Sequence, residues 1–551
     1  MEVVMGEPMD LAIWAPAEAP SAAEMQLLRL CKKQKIWVFL RNHRHLLVPD
    51  TIRAELAAMY VSGSRKAGSP VCPERMLLAM LLQVLTGASD AEVPTLTAVD
   101  RRWQMVLDML GSDAPLMSQG AVFKFRERVR LSGLMGRLLE HTVCVAREEG
   151  GYSAKRVRAL IDSSPLTGAG RVEDTFNLLG RCIAMLVEEA SEHAGQSVED
   201  VAAQLDLSVV GGSSVKAALD CDWPKPEARN LAIRELLAQL HRVRQWLQER
   251  LPEEALATPP IAETLALVER VVDQDTEPDP DAPRPGHDGP PAEDGPAPRR
   301  LHQGVRKDRI VSVSDPDMRI GHKTRTRSFA GYKRNILSDL VVPGLVLAVE
   351  VQPANRPDAD AAAPLLGRVA QAGLEVDEIH VDRAYLASDA VHELRAAGVD
   401  LVCKAPTVPR GANFNRYDFD VDYEANTLTC PAGETVPLRG DGQVHRFPTP
   451  TCRACLVRDH CVTERNRYGR TVPLHPHEKL YRDSRAEMAT SEGRAKRRQR
   501  VQVEHDLARI GQIQGTRARY RGLEKNQFDL TRTAVLANCY VIDGLIRKVP
   551  A

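Results

Sequence analysis

The sequence predicts an α/β fold preceded by an all-α N-terminal domain. The first sign is the run Glu378-Ile379-His380-Val381-Asp382-Arg383-Ala384-Tyr385, a short apolar strand that pushes Asp382 out of its C-terminal end. Apolar-periodic helices flank it at about 360–372 and 388–397, and a further strand follows at Asp400-Leu401-Val402-Cys403-Lys404. Strand–helix alternation of this kind argues for parallel pairing, and open α/β sheets do their chemistry at strand C-termini. The second sign is Arg158-Ala159-Leu160-Ile161-Asp162, another apolar run ending in an aspartate. The third is the first 150 residues, whose apolar spacing is helical throughout.

At 551 residues the chain is too long for one core, so several domains are expected. A composition of 43% hydrophobic and 27% charged residues is that of a globular protein. No apolar run is long enough to span a bilayer, and the first 20 residues lack the pattern of a signal peptide, so a cytoplasmic protein with no membrane partner is expected. The net charge of -1 conceals strong local asymmetry. Residues 273–294 hold eight acids against one base, residues 299–334 eleven bases against three acids, and residues 494–525 ten bases against three acids. Two basic blocks in a neutral chain point to a polyanion, with two solvated faces as the plain alternative. Eleven cysteines, an odd number, scattered mostly through helical contexts, fit a reduced compartment.

The N-terminal domain, 1–150, begins with helical sequence from about Glu24 to Tyr60, with Trp37, Val38, Phe39 and Leu40 inside. A loop at 63–68 and Pro70 and Pro73 lead into a helix from Glu74 to Leu85, which Gly87 stops. Ser89-Asp90-Ala91-Glu92 caps a short helix, and Trp103 to Leu110 forms another. Ser118 caps a basic helix, Val122 to Arg130, that presents Lys124 and Arg126 either to a DNA groove or to solvent. Residues 151–171 carry the Asp162 strand. Residues 172–272 break the α/β rhythm with three helices, and 273–298 form an acidic Pro/Gly linker. The sheet resumes at Arg309–Val313 within 299–425. A basic loop follows, then a hairpin from Gly331–Leu337 and Gly344–Val351. Two phosphate-loop resemblances fail: position 173 is Glu after Gly168 and Gly170, and no glycine stands five residues before Gly321.

Residues 426–470 contain Cys430 and, after 21 residues, Cys452-x2-Cys455-x5-Cys461. Four thiols in a polar loop suit a closed structural zinc site; free thiols, or His445 or His460 as a replacement ligand, remain the alternatives. The last segment, 471–551, holds a basic helix from Ser491 to Gly511 and a final helix from Leu530 to Leu545. On one helix, Arg497, Arg500 and Glu504 share a face. Glu504 is then either a plain i,i+4 partner of Arg500 or a third functional carboxylate.

Taken together these stretches resemble the DDE transposases of bacterial insertion sequences over nearly the whole chain. Ser69-Pro70-x2-Pro73, Ser89-Asp90 and Phe125-Arg126-x-Arg128 are similar to the family's helical entry domain. Ile161-Asp162-Ser163-Ser164 and Val381-Asp382-Arg383-Ala384-Tyr385 resemble its two aspartate strands. Ser314-Asp315-Pro316-Asp317, Gly321-His322-Lys323 and Phe329-x-Gly331-Tyr332-Lys333 resemble its basic hairpin. Arg500-x3-Glu504 matches the centre of a Y-x2-R-x3-E-x6-K signature whose outer positions are Arg497 and Gly511 here, and Ala384 stands where glycine is usual.

The resemblance implies an RNase H-like mixed sheet with Asp162 on its first strand and Asp382 just after its fourth, interrupted by the helical insertion. It implies Asp162, Asp382 and Glu504 as catalytic ligands of two Mg²⁺ ions, with Mn²⁺ able to substitute. Hard oxygen donors suit these ions, which stabilise the attacking and leaving oxygens of an in-line phosphodiester displacement. It implies double-stranded DNA as partner, both element terminal repeats and target, gripped by Arg319, His322, Lys323, Lys333, Arg497 and Arg500, with a homodimer holding paired ends. The rival readings are an RNase H-like nuclease or domesticated transposase that cuts without joining, and a DNA-binding protein whose carboxylates are structural.

Overall fold

The computed structural model describes residues 14–60, 72–152, 155–212, 214–280, 298–404, 407, 413–463 and 466–548. The expected loop at 63–68, the Ser69-Pro70 pair and the middle of the acidic tract, 281–297, lie outside the described residues.

Four short helices, Ala22–Leu30, Lys35–Asn42, Arg44–Leu47 and Asp50–Ala58, open the described chain. Trp37, Phe39 and Leu40 are buried as expected, whereas Val38 is half-buried. The helix Pro73–Thr86 is buried almost all round and ends at Gly87. Its apolar run is too dense for a surface helix, so it must lie inside other layers. The Ser89 hydroxyl accepts from the Glu92 amide and the Glu92 carboxylate from the Ser89 amide at the start of the helix Glu92–Val99. The Trp103 helix is shorter than expected, Arg101–Val106. The basic helix runs from Gln119 to Ser132, with the Ser118 hydroxyl accepting from the Ala121 amide.

The central sheet has six strands: β1 (Arg156–Thr167), β2 (Arg319–Thr324), β3 (Arg327–Asp339), β4 (Val346–Pro353), β5 (Glu375–Val381) and β6 (Asp400–Cys403). The order runs β2-β3-β1-β5-β6, with β4 also paired to β3. β3 is antiparallel to β1, β2 and β4, while β1, β5 and β6 are parallel. The hairpin expected from Gly331 and Gly344 is the β3–β4 pair. At Gly331, φ is +146°, and a Cβ there would fall 2.3 Å from the Leu166 carbonyl oxygen. Only glycine allows the two strands to approach this closely.

Two sequence expectations for strands need correction. β1 does not stop at Asp162 but runs on to Thr167, because β3 keeps pairing with it as far as Gly331. Arg309–Val313 is not a strand, although Ile310, Val311 and Val313 are buried. Its backbone is satisfied in another way: Gln274 bonds both the amide and the carbonyl of Ile310, and the Glu173 amide donates to the Val311 carbonyl.

The N-terminal helices share one hydrophobic core with the sheet, continuous from Trp37 and Leu77 through Leu160 and Ile336 to Leu536. A buried ion pair between Arg147, on the helix Leu134–Glu149, and Asp339, at the end of β3, ties the layers together. The final helix, Leu523–Ile546, starts earlier than the periodicity predicts. Asp315 and Asp317 cause this: their carboxylates accept from the Gly522 and Leu523 amides, at 3.0 and 2.8 Å, and so cap the helix.

The insertion helices are Thr175–Ala194, Pro226–Arg250 and Pro259–Asp275, with shorter ones between. They have a core of their own around Ile183, Leu236, Trp246 and Val268. Leu231, expected inside, is 62% exposed. The acidic tract is ordered at its start: Asp275 is buried and holds Arg309, Asp279 pairs with Arg234, and Thr276–Pro278 pairs with Arg299–Leu301. No helix of the described residues is long and apolar enough to cross a membrane.

Candidate active site

The register of the parallel pair β1–β5 decides where the two aspartates meet. Leu160 stands opposite His380, the last paired position. Asp162 and Asp382 each lie two residues further on, level with each other on neighbouring strands. Residues two apart in a strand face the same way, so both acids emerge beside the open end of the pairing. Asp382 is exposed and caps the turn Arg383–Ala387 by accepting from the Arg383 amide at 2.7 Å. Ala384 is exposed within that turn and takes no special backbone conformation. Asp162 is half-buried, and its carboxylate accepts from the Ser163 amide at 2.8 Å.

The expected single helix 491–511 is two helices, Ser491–Arg498 and Val501–Gln514, broken at Gln499 and Arg500. Both residues keep near-helical angles, and Arg497, Arg500 and Glu504 still line one cavity together. Arg500 turns its guanidinium to Asp162, with Nη2 2.8 Å from Oδ2, and lies 3.9 Å from Glu504. Arg500 thus pairs with Asp162 at the shorter distance and keeps the i,i+4 contact with Glu504 at the longer one. Glu504 and Asp382 line one open cavity of about 280 Å³, together with Arg497, Arg498, Arg500 and Lys404. Burial pushes the Asp162 carboxyl above the usual range, Arg500 pulls it back, and the charges of Asp382 and Glu504 push it up again.

The elements that carry the acids are fixed from behind. Lys496 reaches Glu378 on β5 at 3.3 Å and also Asp400 on β6, pinning the first of the two helices to the sheet edge. Arg158 and His380 hydrogen-bond the same Glu378 carboxylate, both at 2.6 Å. Burial opposes its ionisation, but those bonds hold Glu378 below its ordinary pKa. On the second helix, Arg334 from β3 bonds Ser164, Gln514 and the Gly515 carbonyl at 2.7, 3.1 and 2.8 Å. Gly511, where the signature has Lys, sits over that guanidinium: a Cβ there would be 3.1 Å from Arg334 Nη2. A second cation at 511 would meet the first, so Arg334 fills the space from the other side. Burial lowers its pKa to about 10.

The remaining basic residues divide into two groups. Lys124, His322 and Lys323 are exposed, and Arg497 is half-buried in the cavity wall. Arg126 is buried against Asp90 at 2.5 Å, Arg319 is buried against Asp308 and the Pro316 and Met318 carbonyls, and Lys333 bonds Asp358 and the Arg356 carbonyl. These three are held by protein partners, unlike the exposed Lys124, His322 and Lys323. Arg126→Ala is expected to cost stability, about 3 kcal/mol for stranding Asp90, with duplex affinity of the folded protein unchanged; thermal melts and a filter-binding titration separate the two. Lys404 and Arg498, exposed in the cavity, were missed in the sequence. Arg498 lay inside a basic run with no mark of its own, and Lys404 read only as the end of a strand.

The four cysteines Cys430, Cys452, Cys455 and Cys461 line one small cavity of about 30 Å³, together with Phe414, Phe447 and Arg470. The Arg470 amide points at Cys452 Sγ, 3.4 Å away. His445 is buried but spends its Nε2 on the Arg439 amide, and His460 packs on Phe414; neither lines the cavity. Among the described residues, no three His, Cys, Asp or Glu side chains stand close enough, as placed, to hold a metal ion. Both the carboxylate and the thiolate groups would have to draw inward around one.

Residues 429–542 match the family model described as a transposase DDE domain. Over those residues the chain is similar to that family, which supports a DDE transposase. The match spans a minority of the 551 residues, taking in the four cysteines, Arg500 and Glu504 but neither aspartate. No curated protein and no solved structure matches the chain.

Proposed function

We propose that the protein is a transposase of a bacterial insertion sequence that cleaves DNA at its element ends and joins them to target DNA. Asp162, Asp382 and Glu504 form its catalytic centre on an RNase H-like core. The observation that carries this reading is the register of β1 and β5, which sets Asp162 and Asp382 level on adjacent parallel strands, with Arg500 reaching Asp162 from beside the Glu504 helix. The antiparallel β3 beside a parallel β1, β5 and β6 agrees with an RNase H-like sheet.

The donors are carboxylate oxygens and the cation now on Asp162 is a guanidinium, a set that fits a hard divalent ion better than a soft one. Asp162, Asp382 and Glu504 would hold Mg²⁺ or Mn²⁺, which supplies charge stabilisation for the attacking and leaving oxygens. The chain's own part is to place the phosphate. Arg497, Arg498 and Lys404 surround the acids with positive charge and draw a phosphodiester over them. Exposed Lys124, His322 and Lys323 extend that grip along the duplex. Alanine at Lys124 or Lys323 should weaken duplex binding about equally for all sequences and flatten the salt dependence by roughly one counterion each; fluorescence anisotropy at several salt concentrations measures both. Pairing of two ends implies a homodimer on DNA, in the cytoplasm at the nucleoid.

Duplexes taken from either side of the gene test the reading. Incubated with protein and Mg²⁺ or Mn²⁺, they should be cut at the element boundary, and the ends should be recovered joined to a second duplex. Cutting without joined product favours the nuclease reading, and neither product overturns both.

We also infer that the cysteine module binds one structural zinc. Its support is that all four cysteines line one small cavity beside a small core.

A further inference from the structure

We propose that Arg500 is a stand-in cation on Asp162 that a DNA phosphate must draw away before a divalent ion can bind there, so that DNA and metal bind this site cooperatively. The inference rests on the proposed role of Asp162, Asp382 and Glu504 and concerns the order in which that site is filled.

Arg500 occupies the Asp162 oxygen on the side of the other acids: Nη2 is 2.8 Å from Oδ2, and Nη1 faces Glu504 at 3.9 Å. Its Nε is buried and finds no hydrogen-bond partner among the described residues. One of the guanidinium's donors is therefore left over, and its fork is not saturated by the protein. The residue sits in the turn between Ser491–Arg498 and Val501–Gln514. The cavity it lines is walled by Arg497, Arg498 and Lys404, the surface a phosphate approaches first.

Three carboxylates near one another repel, and one cation among them relieves that repulsion in the absence of metal. The same cation opposes metal entry, because a divalent ion and a guanidinium compete for one oxygen. A phosphate offers the guanidinium a bidentate partner at least as good as a carboxylate. When DNA takes Arg500, Asp162 is freed and the ion enters at lower cost. By linkage, DNA must tighten metal binding by the same factor that metal tightens DNA binding.

Mn²⁺ binding to the full-length protein, followed by the EPR signal of free Mn²⁺, tests this. A mixed-sequence duplex is present or absent, and Mn²⁺ bound by duplex alone is subtracted. Wild-type protein should bind Mn²⁺ on the order of tenfold more tightly with duplex than without. Arg500→Gln should bind Mn²⁺ without duplex as tightly as wild type binds it with duplex, and should gain nothing from DNA. Arg500→Lys, which keeps the charge but loses the fork, should bind Mn²⁺ as weakly as wild type without duplex and gain less from DNA, and thermal melts confirm that both variants are folded. Equal Mn²⁺ affinity of DNA-free wild type and Arg500→Gln overturns the proposal. Asp162→Asn in the same assay isolates the parent reading: unchanged Mn²⁺ binding there sinks the carboxylate site itself, whereas loss there with no effect of Arg500→Gln sinks only the stand-in.

Discussion

Asp162→Asn is expected to lower DNA cleavage by a factor on the order of 10³ while duplex affinity stays within about twofold of wild type. The first figure follows from removing a charged ligand of the catalytic ions, which stabilise the reacting oxygens by several kcal/mol, each 1.4 kcal/mol being about tenfold in rate. The second follows from geometry. Asp162 is half-buried and faces Arg500, whereas Lys124, His322 and Lys323 are exposed. Asparagine is close in size, and the Ser163 amide keeps an oxygen to donate to, so the fold should hold. Gel analysis of a labelled end duplex gives the rate, and anisotropy gives the affinity. Retained cleavage would remove Asp162 from the chemistry. Lost cleavage accompanied by lost binding would mean that the residue acts through structure or surface charge.

How far the sequence showed this site differs by residue. Asp382 was plain, because a short apolar run ended at it and the structure ends β5 one residue before it. Asp162 was found for the wrong reason. Its strand runs on for five residues, and the acid lies level with Asp382 because β5 stops pairing with β1 at Leu160, not because β1 ends. Register between strands lies far apart in sequence and no local pattern states it. Glu504 was visible only beside Arg500, and the link from Arg500 to Asp162 joins residues too distant for any spacing rule. The burial of Arg126 and Arg319 was hidden for a related reason: charge is legible in a sequence, but burial beside Asp90 or Asp308 is a tertiary fact. The helices of the insertion were legible because their apolar stripes are long and periodic. The buried segment 309–313 was not, since an apolar run cannot say whether its hydrogen-bond partners are strands or side chains such as Gln274.

Removing zinc, or replacing Cys452 by Ser, is expected to unfold the cysteine module and leave the main sheet standing. The module's core has six buried residues, Phe419, Leu428, Leu438, Phe447, Val472 and Leu474, with Cys430, Cys452 and Cys461 packed against them. Its strands, such as Thr427–Thr429 and Val444–Arg446, are three residues long. So small a core does not offset the entropy of ordering the loop, and small domains of this kind rely on a metal or a cross-link. All eleven cysteines, the four in the module included, are free of disulfides. A tetrahedral zinc would supply about 10–16 kcal/mol of binding free energy as folding free energy. The Arg470 amide is aimed at Cys452 Sγ, and the Gly433 amide donates to the Cys430 carbonyl at 2.9 Å, so two of the four cysteines are held in hydrogen-bonded turns. The main core is continuous without the module, because its buried residues form a separate cluster. Elemental analysis should therefore find about one zinc per chain. Chelation should open residues 426–470 to protease and hydrogen exchange before the residues of β1 and β5, and Cys452→Ser should do so without a chelator. A protein that is free of zinc and yet protected across 426–470 would show that the four thiols pack as ordinary side chains.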